Sequence, residues 1–147
     1  MYYSPIFKLE EFITDPVKQA LIVKVHNSEL VNLHFGQNWD IHWHNGKLMP
    51  TEEQYLHMVI NKTSVLPRLC AAIISIIVGV DKDQSQQMCH FIESLGAAFQ
   101  IQDDLIAVIS EDYVKERGIV GEDIHEGKRT LMVINSCDPS NKRISNE

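Results

Sequence analysis

An apolar stripe at helical spacing, Met88, Ile92, Leu95 and Phe99, leads into two adjacent carboxylates, Asp103 and Asp104. The spacing predicts a helix that starts near Asp83, turns this stripe into a core and ends by about Ile109. Gln100, Asp103 and Asp104 stand at i, i+3 and i+4, so one surface of that helix offers an amide and two carboxylates. Adjacent anions repel, and a chain keeps such a pair where water screens it or where a cation binds. Hard oxygen donors on a rigid helix suit Mg2+ that also holds phosphates; a solvated helix end is the plain alternative.

The rest of the chain also reads as helix. Asp15-Pro16 supplies a cap and a first-turn proline for a helix to about Phe35. Thr51-Glu52-Glu53-Gln54 is close to a capping box and opens a helix to about Gly79. Within it Pro67 removes one hydrogen bond and frees the carbonyl of Thr63, which predicts a kink just after Lys62. Residues Glu111 to Lys128, with Gly118, Gly121 and Gly127, read as a loop over the site, and Thr130 to Ile134 begins one more short element. The expectation is an all-α helical bundle: one domain over residues 1–135 and a disordered tail over 136–147.

Charge and apolar runs narrow the class. The formal net charge is −7, from 13 basic and 20 acidic residues, with no basic stripe, which excludes nucleic acid as a partner. An acidic chain that holds a phosphorylated ligand needs metal ions to neutralise it. Met1 to Leu9 lacks a signal peptide's basic start and apolar core, and the apolar run Leu69 to Val80 is too short to span a bilayer, so no transmembrane segment is expected. Cys70, Cys89 and Cys137 show no metal spacing and read as reduced thiols of a cytoplasmic protein.

Two further polar clusters interrupt apolar faces: Gly36-Gln37-Asn38-Trp39-Asp40, and Lys62-Thr63 among Val59, Ile60, Val65 and Leu66. A lysine in such surroundings needs a partner, because an unpaired buried ammonium is costly. Trp39 and Trp43, four apart, read as packing residues. His34, His42 and His44 do not make a zinc shell, since i and i+2 lie on different helix faces and no cysteine or carboxylate set completes it.

Taken in order, Leu33 to Trp43, Pro50 to Leu56, Lys62-Thr63, Phe99-Gln100-Ile101-Gln102-Asp103-Asp104 and Gly121 to Lys128 resemble the C-terminal part of a trans-prenyl diphosphate synthase, the geranylgeranyl diphosphate synthases in particular. The resemblance implies the C-terminal part of the all-α isoprenoid synthase fold and a Mg2+-dependent prenyltransferase that condenses isopentenyl diphosphate head-to-tail with an allylic diphosphate. It implies Asp103 as a metal ligand with Asp104 orienting it, and Lys62, Lys128, Arg117 and Gln37 on the diphosphate. Asp40, Lys62, Thr63 and Gln100 are implied at the reacting centre, and a homodimer or a heterodimer with another prenyl synthase is implied as the assembly.

Three departures from the family pattern bear on activity. No DDxxD precedes Gly36, Ala107 stands where the second motif usually carries Asp or Asn, and Lys-Thr-Gly is Lys62-Thr63-Ser64. The expectation is a chain inactive as this isolated part; the alternative is a catalytically dead subunit that modulates an active synthase. A helical module without prenyl chemistry is the third reading.

Overall fold

The computed structural model describes residues 8–9, 11–46, 48–110 and 121–138; Arg117 and most of the tail from Ser136 lie outside them. The described residues contain helices and no strand. The elements are α1 (Pro16–Asn45), α2 (Glu52–Val59), a π-helical segment (Ile60–Ser64), α3 (Val65–Val78), α4 (Lys82–Ile109), α5 (Glu122–His125) and α6 (Leu131–Cys137).

Each start has the expected chemistry. Asp15 accepts the backbone N–H of Val17 at 2.8 Å and that of Lys18, with Pro16 in the first turn. Thr51 and Gln54 make a complete capping box. Asp81 caps α4, Thr130 caps α6, and Gly79 closes α3 in the left-handed conformation at φ 82°.

Helix α1 runs ten residues past the expected stop at Phe35, because Gly36 does not break it. The helix continues so that Trp39 and Trp43 reach a cluster of Tyr55, Met58, Val59 and Ile134. The rod carries a π segment that begins at Ile60, before Lys62, and is continuous with α2 and α3. This rod lies between α1 and α4, and two glycines set the spacing. Gly36 of α1 and Gly96 of α4 both lie against the π segment; a β-carbon on Gly96 would stand 2.3 Å from Ser64 Oγ.

The stripe expected in the core faces outward. Met88, Leu95 and Phe99 are exposed, Ile92 is half-buried, and Phe91 beside them is exposed as well. The inward face of α4 is set instead by the close approach at Gly96, which brings Gln100, Asp104 and Ala107 round to the π segment and α2. Leu95, one residue away, is thereby turned about 100° off that contact.

The rod Glu52–Val78 is, by length and composition, long and apolar enough to cross a membrane, which the shorter apolar run Leu69 to Val80 is not. Tyr55, Met58, Val59, Ser64, Val65, Arg68, Leu69, Ala71 and Ser75 along it are buried by the neighbouring helices, while Leu66, Ile74, Ile77 and Val78 are exposed. Cys70, Cys89 and Cys137 are free thiols, Cys70 and Cys137 exposed.

Candidate active site

The π segment carries Lys62 and Thr63 to opposite neighbours. Lys62 Nζ donates to Asp40 Oδ2 of α1 at 2.5 Å. Thr63 Oγ1 donates to Gln100 Oε1 of α4 at 2.7 Å, and Gln100 Nε2 donates in turn to Asp104 Oδ1 at 2.9 Å. Lengthening the hydrogen-bonded ring in a π turn shifts the following side chains off the α-helical pattern, and such turns occur often at functional sites.

Asp104 is the hub. It is 2% exposed, and an unpaired carboxylate at that depth would be costly. Both oxygens are engaged: Tyr55 OH donates to Oδ2 at 2.7 Å, while Gln100 and Lys128 Nζ donate to Oδ1, each at 2.9 Å. Lys128 also donates to Asp123 Oδ2 at 2.9 Å. Burial would lower the Lys128 pKa, but its bonds to Asp104 and Asp123 outweigh that and hold it above the ordinary lysine value.

Asp40, Tyr55, Met58, Lys62, Gln100, Asp104, Lys128 and Arg129 line one cavity. Of the residues expected at the site, Asp40, Lys62, Gln100, Asp104 and Lys128 therefore meet, and Thr63 joins them through Gln100. Gln37 and Asp103 are exposed on α1 and α4 and are not among the lining residues. Sharing a helical face at i, i+3 and i+4 does not make burial equal; Asp103 and Asp104 are about 100° apart, so turning one inward leaves the other at the surface.

Tyr55 and Arg129 were not expected from the sequence. Tyr55 reads as one more apolar residue after a capping box, and nothing local announces its bond to a residue 49 positions on. Arg129 follows Lys128 and could have been read with it as a second cation. Its Nε is buried and has no hydrogen-bond partner among the described residues, while one terminal nitrogen donates to the carbonyl of Gly46 at 3.3 Å.

The cavity has room for about one water-sized sphere, roughly 10 Å³, because the ammonium groups lie on the carboxylates. Among the described residues no group of three His, Cys, Asp or Glu side chains could hold a metal ion. With Asp104 fully bonded and Asp40 on Lys62, the carboxylates as placed do not form a metal shell of their own.

The polyprenyl synthetase family model matches residues 1–147, and the chain belongs to that family. It is 38% identical over 124 residues to a geranylgeranyl pyrophosphate synthase of Macrophomina phaseolina, covering 83% of this chain and 37% of that protein. A geranylgeranyl pyrophosphate synthase of Gibberella zeae is 38% identical over 128 residues, covering 86% of this chain and 33% of that one. A crystal structure of a geranylgeranyl pyrophosphate synthase superposes with a TM-score of 0.71 at 28% identity, over 88% of this chain and 39% of that one. The chain thus has the all-α isoprenoid synthase fold and spans little more than a third of the length of these relatives.

Proposed function

We propose that the chain carries the diphosphate-holding part of a prenyltransferase that condenses isopentenyl diphosphate head-to-tail with an allylic diphosphate, as geranylgeranyl diphosphate synthases do. The observation that supports this most is the meeting of Lys62 and Lys128, 66 positions apart, at one cavity with Asp40, Gln100 and Asp104. Two ammonium groups resting on carboxylates are poised to move to an anion of higher charge. Polyprenyl synthetases generally use Mg2+; such an ion would have to take its oxygen ligands chiefly from the diphosphate, since the described carboxylates as placed supply no shell.

In this reading Lys62 and Lys128 take up the oxygens of the leaving diphosphate and stabilise the negative charge that grows as the allylic C–O bond breaks. The Thr63 hydroxyl orients the Gln100 amide, which lines the cavity beside the allylic carbon as it becomes positive. The double bond of isopentenyl diphosphate attacks that carbon, and the proton lost afterwards goes to the released pyrophosphate. Positioning and fixed charge carry the chemistry, so losing one preorganised contact costs about 3 kcal/mol, roughly a hundredfold in rate.

We propose further that these 147 residues do not turn over alone. The engagement of Asp40 and Asp104 by the chain's own cations equally favours a second reading, a subunit that pairs with an active prenyl synthase and modulates it. An assay with isopentenyl and farnesyl diphosphates in millimolar Mg2+ decides between them. No product from the chain alone, together with altered turnover or product length when a full-length synthase is added, supports the subunit reading; robust product from the chain alone overturns both it and the proposed inactivity.

A further inference from the structure

Tyr55 lies 1% exposed in the apolar cluster of Met58, Val59 and Ile134, a position whose packing a phenylalanine would satisfy. What the hydroxyl adds is a bond to Asp104. The carboxylate has three donors, and they are divided unequally: Gln100 and Lys128 share Oδ1, and Tyr55 is the only described side chain on Oδ2. Without the hydroxyl, Oδ2 is a buried acceptor with no partner, and the carboxylate relieves that by rotating to bring Oδ2 toward the donors on its other side. Rotation would move the acceptor from beneath Lys128. Gln100 and Lys128 both sit on Oδ1 and place no restraint on Oδ2.

We propose that Tyr55 is a positioning residue of this site, its hydroxyl fixing Asp104 so that Oδ1 faces Gln100 and Lys128 and the Lys128 ammonium is held over the cavity. The inference rests on the diphosphate-binding reading of the site for its functional meaning, but not for its geometry. Burial first, then the bond to Asp104, raises the Tyr55 pKa well above the ordinary tyrosine value, so the hydroxyl keeps its proton and donates at any working pH. Helix α2 is in this way tied to the segment that carries Lys128, which reaches the cavity from 73 positions further along the chain. Its side-chain hydrogen bond is to Asp104, the partner of Lys128, whereas Lys62 is bonded to Asp40.

Competitive lysine labelling with trace acetic anhydride, read by mass spectrometry on protein shown folded by circular dichroism, tests this. In Tyr55→Phe the reactivity of Lys128 rises about tenfold, the change that loss of a hydrogen bond to a charged group brings, while Lys62 on Asp40 keeps its wild-type reactivity. Unchanged Lys128, or Lys62 and Lys128 rising together as in a general loosening, overturns the proposal. An Asp104→Asn background, which removes the buried charge, covers the case of a variant that fails to fold. There, adding Tyr55→Phe leaves Lys128 where Asp104→Asn alone puts it, and a further rise overturns the proposal. Calorimetry with inorganic pyrophosphate in millimolar Mg2+ separates the two readings: wild-type chain that binds none overturns the functional reading alone, whereas Tyr55→Phe that binds as wild type, with Lys128 loosened, overturns the positioning role.

Discussion

A β-carbon on Gly36 would stand 2.6 Å from the backbone nitrogen of Lys62. Helix α1 and the π segment therefore meet backbone to backbone, and this contact lets Asp40, one turn further on, reach the Lys62 ammonium. Gly36→Ala sets two effects against each other: alanine favours the helix by about 1 kcal/mol, while overpacking of a close contact costs typically 1–3 kcal/mol. The blocking atoms are backbone and cannot swing aside, so the variant should be destabilised by about 2 kcal/mol. Urea unfolding that finds it equal to or more stable than wild type would refute the contact.

Arg68 is buried between α1 and α4, bonded to Glu29 at 2.5 Å and also to Glu93. Removing the guanidinium leaves two carboxylates facing each other at low exposure. Arg68→Ala should cost about 3–5 kcal/mol, measured by denaturant unfolding. The Arg68→Ala/Glu93→Gln double variant should recover part of that loss; a double variant less stable than the single one would contradict the shared-cation arrangement.

Alkaline stability follows from two groups. Lys128 and Tyr55 both have folded-state pKa values raised above their unfolded ones, near 10.4 and 10 respectively. In each case folding favours the protonated form, so the contribution is complete below the unfolded value and is lost as pH rises beyond it. Unfolding free energy should therefore decline above about pH 10, and more shallowly in Tyr55→Phe and Lys128→Met. Urea titrations from neutral pH upward that give parallel slopes for all three proteins would go against these assignments.

Arg129 offers a buried Nε–H with no partner among the described residues at the lining of the cavity. An anion there gains a third cation beside Lys62 and Lys128. Arg129→Met should weaken pyrophosphate binding about tenfold, the value of one charge-assisted hydrogen bond. Isothermal calorimetry against wild type measures it, and equal affinities would leave Arg129 as a packing residue that ties the segment to Gly46.

Much of this was legible from local chemistry. Caps at Asp15 and Thr51 and the need of Lys62 for a partner follow from residues within a few positions or from the cost of a buried charge; Asp40 as that partner and the π turn around Lys62 do not. The facing of α4 did not, because period 3.6 identifies a stripe without saying which side is packed, and the small residues at Gly96 and Ala97 outrank Leu95 and Phe99 when two backbones approach closely. Tyr55 on Asp104 was invisible for a different reason: a contact across 49 positions leaves no periodic trace.

The π turn holds one residue more than an α-helix of the same reach, and the bulge absorbs that residue, so the rod keeps its facing on either side. A deletion of Asn61 that turned Ile60–Ser64 into ordinary α-helix would therefore leave Arg68 turned toward Glu29 and Glu93 and α3 against the same neighbours. What would go is the local course of the backbone that sends Lys62 to Asp40 and Thr63 to Gln100. The loss of one codon would erase the site and spare the fold around it.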